Sequence, residues 1–182
     1  MSEEFEAVAL QHFNALYNMA MRLTRNASEA QDLVQETYLK AYRFFHRFEP
    51  GTNIKAWLFT ILRNTYINAF RKSSRQNAQV DFESVEPFYA DPATPPEYLA
   101  RESLDGMLRY VVEDDVKQAL DALPEVYRMV VLLADMEDFS YKEIAAIVGC
   151  PEGTVMSRLF RGRRLLRESL QEFARKAGYI KG

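Results

Sequence analysis

Between Gly153 and Arg167 the chain carries Arg158, Arg161, Arg163, Arg164 and Arg167 and no Asp or Glu. Guanidinium groups stay charged and offer planar forks of donors, so a run of them without compensating acids calls for a polyanion. On a helix turning about 100° per residue, Val155, Leu159, Gly162 and Leu166 share one side and would pack on the rest of the protein. Ser157, Phe160, Arg161 and Arg164 fall on the other side. That face has the chemistry of a helix reading the major groove of duplex DNA. Arg161 can offer a fork to a guanine edge, and Ser157 can donate or accept at a base edge. Arg163, Arg164 and Arg167 sit further along and suit phosphates, which position a protein without reading sequence. Arg158 completes the basic set. The plainer alternative is a solvated basic face on a structural helix. The residues just upstream decide against it.

Ser140-Tyr141-Lys142-Glu143 has the form of a capping box before the apolar run Ile144, Ala145, Ile147, Val148. Gly149 can take a positive φ and turn the chain, and Pro151 and Gly153 lead into the arginine helix. This is helix-turn-helix spacing. Around it the pattern predicts helices near 112–122, 125–136, 141–148 and 152–172, with Leu123-Pro124 separating the first two. Toward the N-terminus, Phe5, Val8, Ala9, His12, Leu16, Met19, Ala20 and Leu23 recur at three- and four-residue steps. Asn26-Ala27-Ser28 breaks that run, and Ser28 with Gln31 reads as a capping box opening a helix through about Phe45. Phe48 to Asn53 is turn chemistry, and a third helix is expected from about Ile54 to Ser73. Between the helical halves, FESVEPFYADPATPPEY holds four prolines and several acids with no helical or strand period. No alternating strand pattern and no repeat is present. The expected fold is all-α: two small helical domains, 1–80 and 112–182, joined by a flexible acidic linker, 81–111.

Of the 182 residues, 48% are hydrophobic and 13% aromatic, enough to fill real cores. The net charge of -3 hides a segregation: residues 1–80 carry +3, residues 81–115 carry -8 and residues 116–182 carry +2. No acid occurs from Pro50 through Val80, where Lys55, Arg63, Arg71, Lys72 and Arg75 stand. Two basic surfaces joined by an acidic strap suit a nucleic-acid partner. The single cysteine, Cys150, excludes an internal disulfide framework. No apolar run reaches membrane-spanning length, and MSEEFEAVALQ carries acids where a signal peptide carries bases, so a soluble cytoplasmic protein without membrane insertion is expected. His12, His46 and Cys150 lack ligand spacing, so neither metal nor cofactor is expected. Asp114 and Asp115 read as a solvated helix start rather than a catalytic pair. With no nucleophile, metal cluster or phosphate-cradling glycine loop, the chain does not read as an enzyme.

DALPEVYRMVVLLADMEDFSYKEIAAIVGCPEGTVMSRLFRGRRLL resembles region four of bacterial extracytoplasmic-function sigma factors. AQDLVQETYLKAYRFFHRF followed by NIKAWLFTILRNTYINAFRK resembles their region two, and order, spacing and short linker match as well. GTNIKAWLFTILRNTYIN and GTVMSRLFRGRRLL look particularly like the subgroup controlled by zinc-binding, thiol-sensing anti-sigma factors. The resemblance implies an alternative sigma factor that binds core RNA polymerase and directs it to promoters, in a stress response and under an anti-sigma factor. Region two would capture the melted minus-ten strand and region four the minus-thirty-five duplex. A helix-turn-helix regulator that binds duplex DNA without polymerase, with the first half as a dimerisation or sensing module, remains the competing reading; it leaves the single-strand features of that half unused.

By the same resemblance, Asp32, Leu33, Gln35, Glu36, Leu39 and Tyr42 form the surface that docks on the polymerase clamp, carboxylates mixed with an apolar stripe. Phe44, Phe48 and Asn64 match the pocket for a flipped minus-ten base, which needs an aromatic wall and an amide for its Watson–Crick edge. The two phenylalanines, four apart, are expected to share one face at the end of their helix. Arg71, Lys72 and Arg75 would hold that strand's phosphates. Trp57 is expected in the core. Met156 departs from the pattern, standing where many members place Arg or Lys. A thioether cannot donate a hydrogen bond, so the side chain either makes no polar bond to DNA or packs on a thymine methyl instead.

Overall fold

The computed structural model describes residues 2–76, 113–178 and 180–181, and every regular element among them is helical. The expected linker, 81–111, lies outside the described residues. Two compact units divide the chain.

The first unit is built on α1 (Ser2–Ala9), α2 (Phe13–Thr24), α3 (Ala27–Phe44) and α4 (Ile54–Gln76). The single apolar stripe expected across residues 5–23 is split by a 3-10 turn at Leu10–His12. Its cause is visible: the Tyr38 hydroxyl donates to the Ala9 carbonyl at 3.0 Å, while the Phe13 amide bonds Leu10 instead. Helix α2 ends on Arg25 in the left-handed region, φ 57°, its amide bonded to the Met21 carbonyl. Helix α3 starts two residues earlier than a Ser28 cap would require. Asn26 is its cap, in extended conformation, and its side chain accepts from the Glu29 amide at 3.0 Å. An Asx oxygen satisfies an orphan N-terminal amide as well as a serine does, and here it stands two positions earlier in the chain. Asn53 performs the same task for α4, accepting from the Ala56 amide at 3.2 Å.

Helix α2 packs on α3 and α3 on α4. Leu16, Met19, Ala20 and Leu23 meet Leu33, Val34 and Ala41 and, from α4, Leu58, Phe59 and Leu62, all buried. Each large aliphatic side chain removed from water contributes about 1.5–3 kcal/mol. That stripe leaves α3 only its far side for a partner.

The second unit is built around α5 (Glu113–Ala122), α6 (Glu125–Val131) and α8 (Glu152–Lys176), with α7 (Tyr141–Val148) preceding α8 in the chain. Both α5 and α6 pack on α8. Helix α6 does not run on as α-helix to Met136: Leu132–Met136 form a π turn, closed by the Glu137 amide on the Leu132 carbonyl at 3.2 Å. The core stripe of α8 is Val155, Leu159, Gly162, Leu166, Leu170 and Ala174. Gly162 explains how closely α6 and α8 approach. A Cβ there would stand 2.8 Å from Val131 Cγ2 and 3.2 Å from Tyr127 Cβ, so the backbone takes the space a side chain would fill.

Candidate nucleic-acid interface

The reciprocal cap at the start of α7 forms as expected: the Ser140 amide donates to Glu143 at 2.8 Å and the Glu143 amide to Ser140 Oγ at 3.2 Å. Gly149 turns the chain at φ +71°, and Pro151 sits in the capping position of α8. The packing of α5 and α6 gives α8 a core face and leaves an opposite face. On the opposite face Met156 is 45% exposed and the Arg164 side chain 54% exposed, with Ser157, Phe160, Arg161 and Arg167 half-buried beside them. Arg158, four residues before buried Gly162, lies at the margin of the core face with its Nε buried and a terminal nitrogen 4.0 Å from Cys150 Sγ. Ser157 Oγ donates back to the Thr154 carbonyl at 3.1 Å and keeps its lone pairs for a partner. Arg164 meets Glu168 only at 3.9 Å, a solvated contact of little energy.

Arg163 is a correction. Expected on phosphates, it is 3% exposed, and its guanidinium forks onto Asp135, Nε to Oδ2 at 3.0 Å and a terminal nitrogen to Oδ1 at 2.6 Å. Four residues after Leu159, it lies on the core stripe rather than beside Arg164. That spacing could have shown it, as could Asp135, an acid inside the apolar run Val130–Met136.

On α3, Asp32, Gln35 and Glu36 are exposed, with Leu39 at 64% and Tyr42 at 46%. Leu33 is a second correction: it is 6% exposed, three residues after buried Ala30 and four before buried Thr37, and so belongs to the core row. The exposed row continues into an apolar cleft of about 510 Å³ lined by Leu10, Phe13, Tyr17, Val34, Gln35 and Leu39, among others. Leu10, Phe13 and Tyr17 were missed, although they stand off the core stripe of their segment and are too apolar for a solvated face.

Phe44 and Phe48 do not share a helix face, because α3 ends at Phe44 and the 3-10 turn Phe45–Arg47 intervenes. Phe44 is 37% exposed, with the Arg47 guanidinium 5.2 Å from its ring centre. Phe48, in extended backbone, stacks on Phe45 at 6.0 Å and meets Trp57 at 5.3 Å. Trp57 is therefore half-buried rather than a core anchor. Phe48 lines a cleft of about 530 Å³ with Val8, Phe45, His46, Pro50 and Thr52, among others. Phe44 and Asn64 are not on its wall. Asn64 is exposed on α4, its side-chain oxygen accepting from Arg63 at 3.2 Å. Pro50 and Thr52 were not singled out, since Phe48–Asn53 reads in sequence as a largely polar turn. Arg71, Lys72 and Arg75 fall on the last turns of α4, where the side chains lie outside the described residues. Among the described residues, no group of three or more His, Cys, Asp or Glu could hold a metal ion, and no helix is long and apolar enough to cross a membrane.

A helix with an arginine face in one unit and an exposed acidic–apolar helix face in the other coincide with two matched segments. Residues 9–76 match the Sigma-70 region 2 family and residues 113–166 the Sigma-70, region 4 family. The chain belongs to the extracytoplasmic-function sigma factors. It is 36% identical over 152 residues to the ECF RNA polymerase sigma factor EcfG of Rhodopseudomonas palustris, covering 84% of this chain and 77% of that one. Identity to the RNA polymerase sigma-H factor of Pseudomonas aeruginosa is 33%, over 95% of this chain and 89% of that one. The ECF RNA polymerase sigma factor SigE of Mycolicibacterium smegmatis is 34% identical across 91% of this chain, which spans 61% of that relative's length. Among solved structures, the sigma factor RpoE of Bartonella quintana, in complex with the anti-sigma factor NepR, superposes with a TM-score of 0.71 at 33% identity over 93% of this chain and 98% of that one. An extracytoplasmic-function sigma factor is a transcription-initiation factor, not an enzyme, and the free-standing regulator is set aside.

Proposed function

We propose that this sigma factor binds core RNA polymerase through the exposed face of α3 and aims it at promoters by reading two DNA elements. Residues 1–80 serve the polymerase and the minus-ten strand, 81–111 tether, and 112–182 read the minus-thirty-five duplex. The observation that carries this is the division of α8 into a buried apolar stripe and an arginine face, in a segment matched as region 4. Arg161 and Ser157 read base edges, Arg158, Arg164 and Arg167 hold phosphates, and Phe160 and Met156 add apolar contact. Arg163 and Leu33 have no part in these contacts.

Asp32, Gln35, Glu36, Leu39 and Tyr42 dock on polymerase, combining charge for encounter with apolar area for retention. Phe44, Phe48 and Asn64, with the phosphate-binding Arg71, Lys72 and Arg75, engage the melted strand; the cleft beside Phe48 supports the aromatic part of that assignment. The protein works in the cytoplasm, in a stress response, held inactive by an anti-sigma factor. The complex of its Bartonella quintana relative supports such a partner. That the partner binds zinc is supported by the wording of the two motifs; chelating zinc from the purified complex and measuring release of this chain tests it.

The test of the whole reading is anisotropy of labelled promoter duplex with and without core polymerase. Weak binding by the chain alone and specific binding with core are expected, because each module is small and the -8 stretch opposes unaided binding. Tight sequence-specific binding by the isolated chain would restore the free-standing regulator.

A further inference from the structure

We infer that Asp135 and Arg163 are a positioning pair that sets the rotation of α8 about its own axis and thereby decides which side chains meet the bases. The inference rests on the reading of α8 as the duplex-reading helix. The pair is forked and nearly dry: two contacts, at 2.6 and 3.0 Å, with the Arg163 side chain 4% and the Asp135 side chain 18% exposed. Arg163 stands between Arg161 and Arg164 in the chain, yet it turns away from both into the core face.

The remainder of that core face is Val155, Leu159, Gly162, Leu166, Leu170 and Ala174, whose attraction to the core is non-directional. Close packing of these side chains restrains the helix through many weak contacts rather than through one directional bond. Gly162, the residue before Arg163, lets the α8 backbone lie flush against Val131 and Tyr127 and so sets how closely the helices approach. A two-point carboxylate–guanidinium fork is planar and directional, so it adds an angular constraint to that packing. Asp135 reaches Arg163 from the π turn Leu132–Met136. Such a turn carries one residue more than α geometry and offsets the residues after it by about 100°. A roll of ~20° moves a side-chain tip ~6 Å from the helix axis by ~2 Å, enough to break a bidentate contact to a base.

A buried ion pair exchanged for apolar residues of similar size commonly leaves a protein as stable as before or more so, whereas deleting one partner strands a charge. The double variant Asp135→Leu/Arg163→Met therefore separates positioning from stability. It is assembled with core polymerase on a promoter that the unaltered holoenzyme recognises, and on the same DNA with the upstream element scrambled. The expected result has three parts: an unfolding temperature at or above that of the unaltered chain, an unchanged dependence of binding on salt, and a ratio of intact to scrambled affinity reduced at least tenfold. Arg163→Lys, which keeps the charge and removes the fork, should lower the same ratio without altering the salt dependence, and it decides the matter if the double variant does not fold. An undiminished ratio in a folded variant overturns the inference. A uniform loss on both DNAs with a shallower salt slope overturns it too, by making Arg163 a phosphate ligand. Should the unaltered holoenzyme show no preference for the upstream element, the reading of α8 itself fails, and the inference with it.

Discussion

Arg161 and Arg167 carry the same charge on the same helix, but they are assigned different work. Arg161→Ala should weaken recognition of the upstream element by roughly 1–3 kcal/mol and relax base preference, while Arg167→Ala should weaken all sequences alike and lower the salt slope by about one. Competition binding over a salt series with base-substituted duplexes separates the two; identical, sequence-independent losses would mean that the groove-facing side is wrongly placed. Met156, 45% exposed on that face, gives a chemically sharper case. If its thioether packs on a thymine methyl, replacing thymine by deoxyuridine at one upstream position should weaken the holoenzyme, and that loss should vanish in Met156→Ala. Most of this face was legible from 100° steps along the chain, because a helix with one apolar stripe leaves its other residues little choice. Arg163 was misplaced because its charge was weighed above its spacing from Leu159, and its partner Asp135 lies 28 residues away in sequence. Leu33 shows the opposite failure: the resemblance put it on the docking surface, while its spacing from Ala30 and Thr37 puts it inside.

At the scale of elements, caps and turns decide where the reading side chains end up. Gly162 is a helix-interior glycine, which costs about 1 kcal/mol relative to alanine, and the close approach of α6 explains why it is there. Gly162→Ala should change stability little, propensity offsetting overlap, whereas Gly162→Val should lower it by roughly 1–3 kcal/mol in chemical denaturation. In the first unit, Tyr38 ties α3 to the carbonyl of Ala9, and burial pushes its phenol up to about 12. A folded-state value above the unfolded one means that this stabilisation is complete below about pH 10 and disappears as pH rises toward 12. Unfolding midpoints should fall across that window, and Tyr38→Phe should flatten the fall; an unchanged slope in the variant would exclude Tyr38 as its source. The positions of α3, α7 and α8 were readable from periodicity and punctuation. The break at Leu10–His12, the end of α3 before Phe48 and the π turn were not, since each depends on a bond made by a residue distant in sequence or on a local tightening that composition does not encode.

At the scale of the whole molecule, the segregation of charge into +3, -8 and +2 fits a chain that meets two forms of DNA only once polymerase has placed it. Asn64→Ala should impair strand opening while polymerase binding and upstream binding persist, since its amide can pair with one exposed base edge and its loss from a solvated surface disturbs folding little. Phe48→Ala should cost more, about 1–3 kcal/mol if a base stacks there. Permanganate reactivity of the melted strand reads both; normal melting with unaltered base preference in Asn64→Ala would remove that residue from the pocket. The measurement that bears most directly on the central claim is reconstituted transcription on a library of linear promoter fragments, using purified core polymerase with and without this chain. The expected result is a discrete set of transcripts that appears only when both are present and shares an upstream and a downstream element. Specific footprints by the chain alone, with no transcript gained on adding core, would contradict the assignment of this protein as a polymerase specificity subunit.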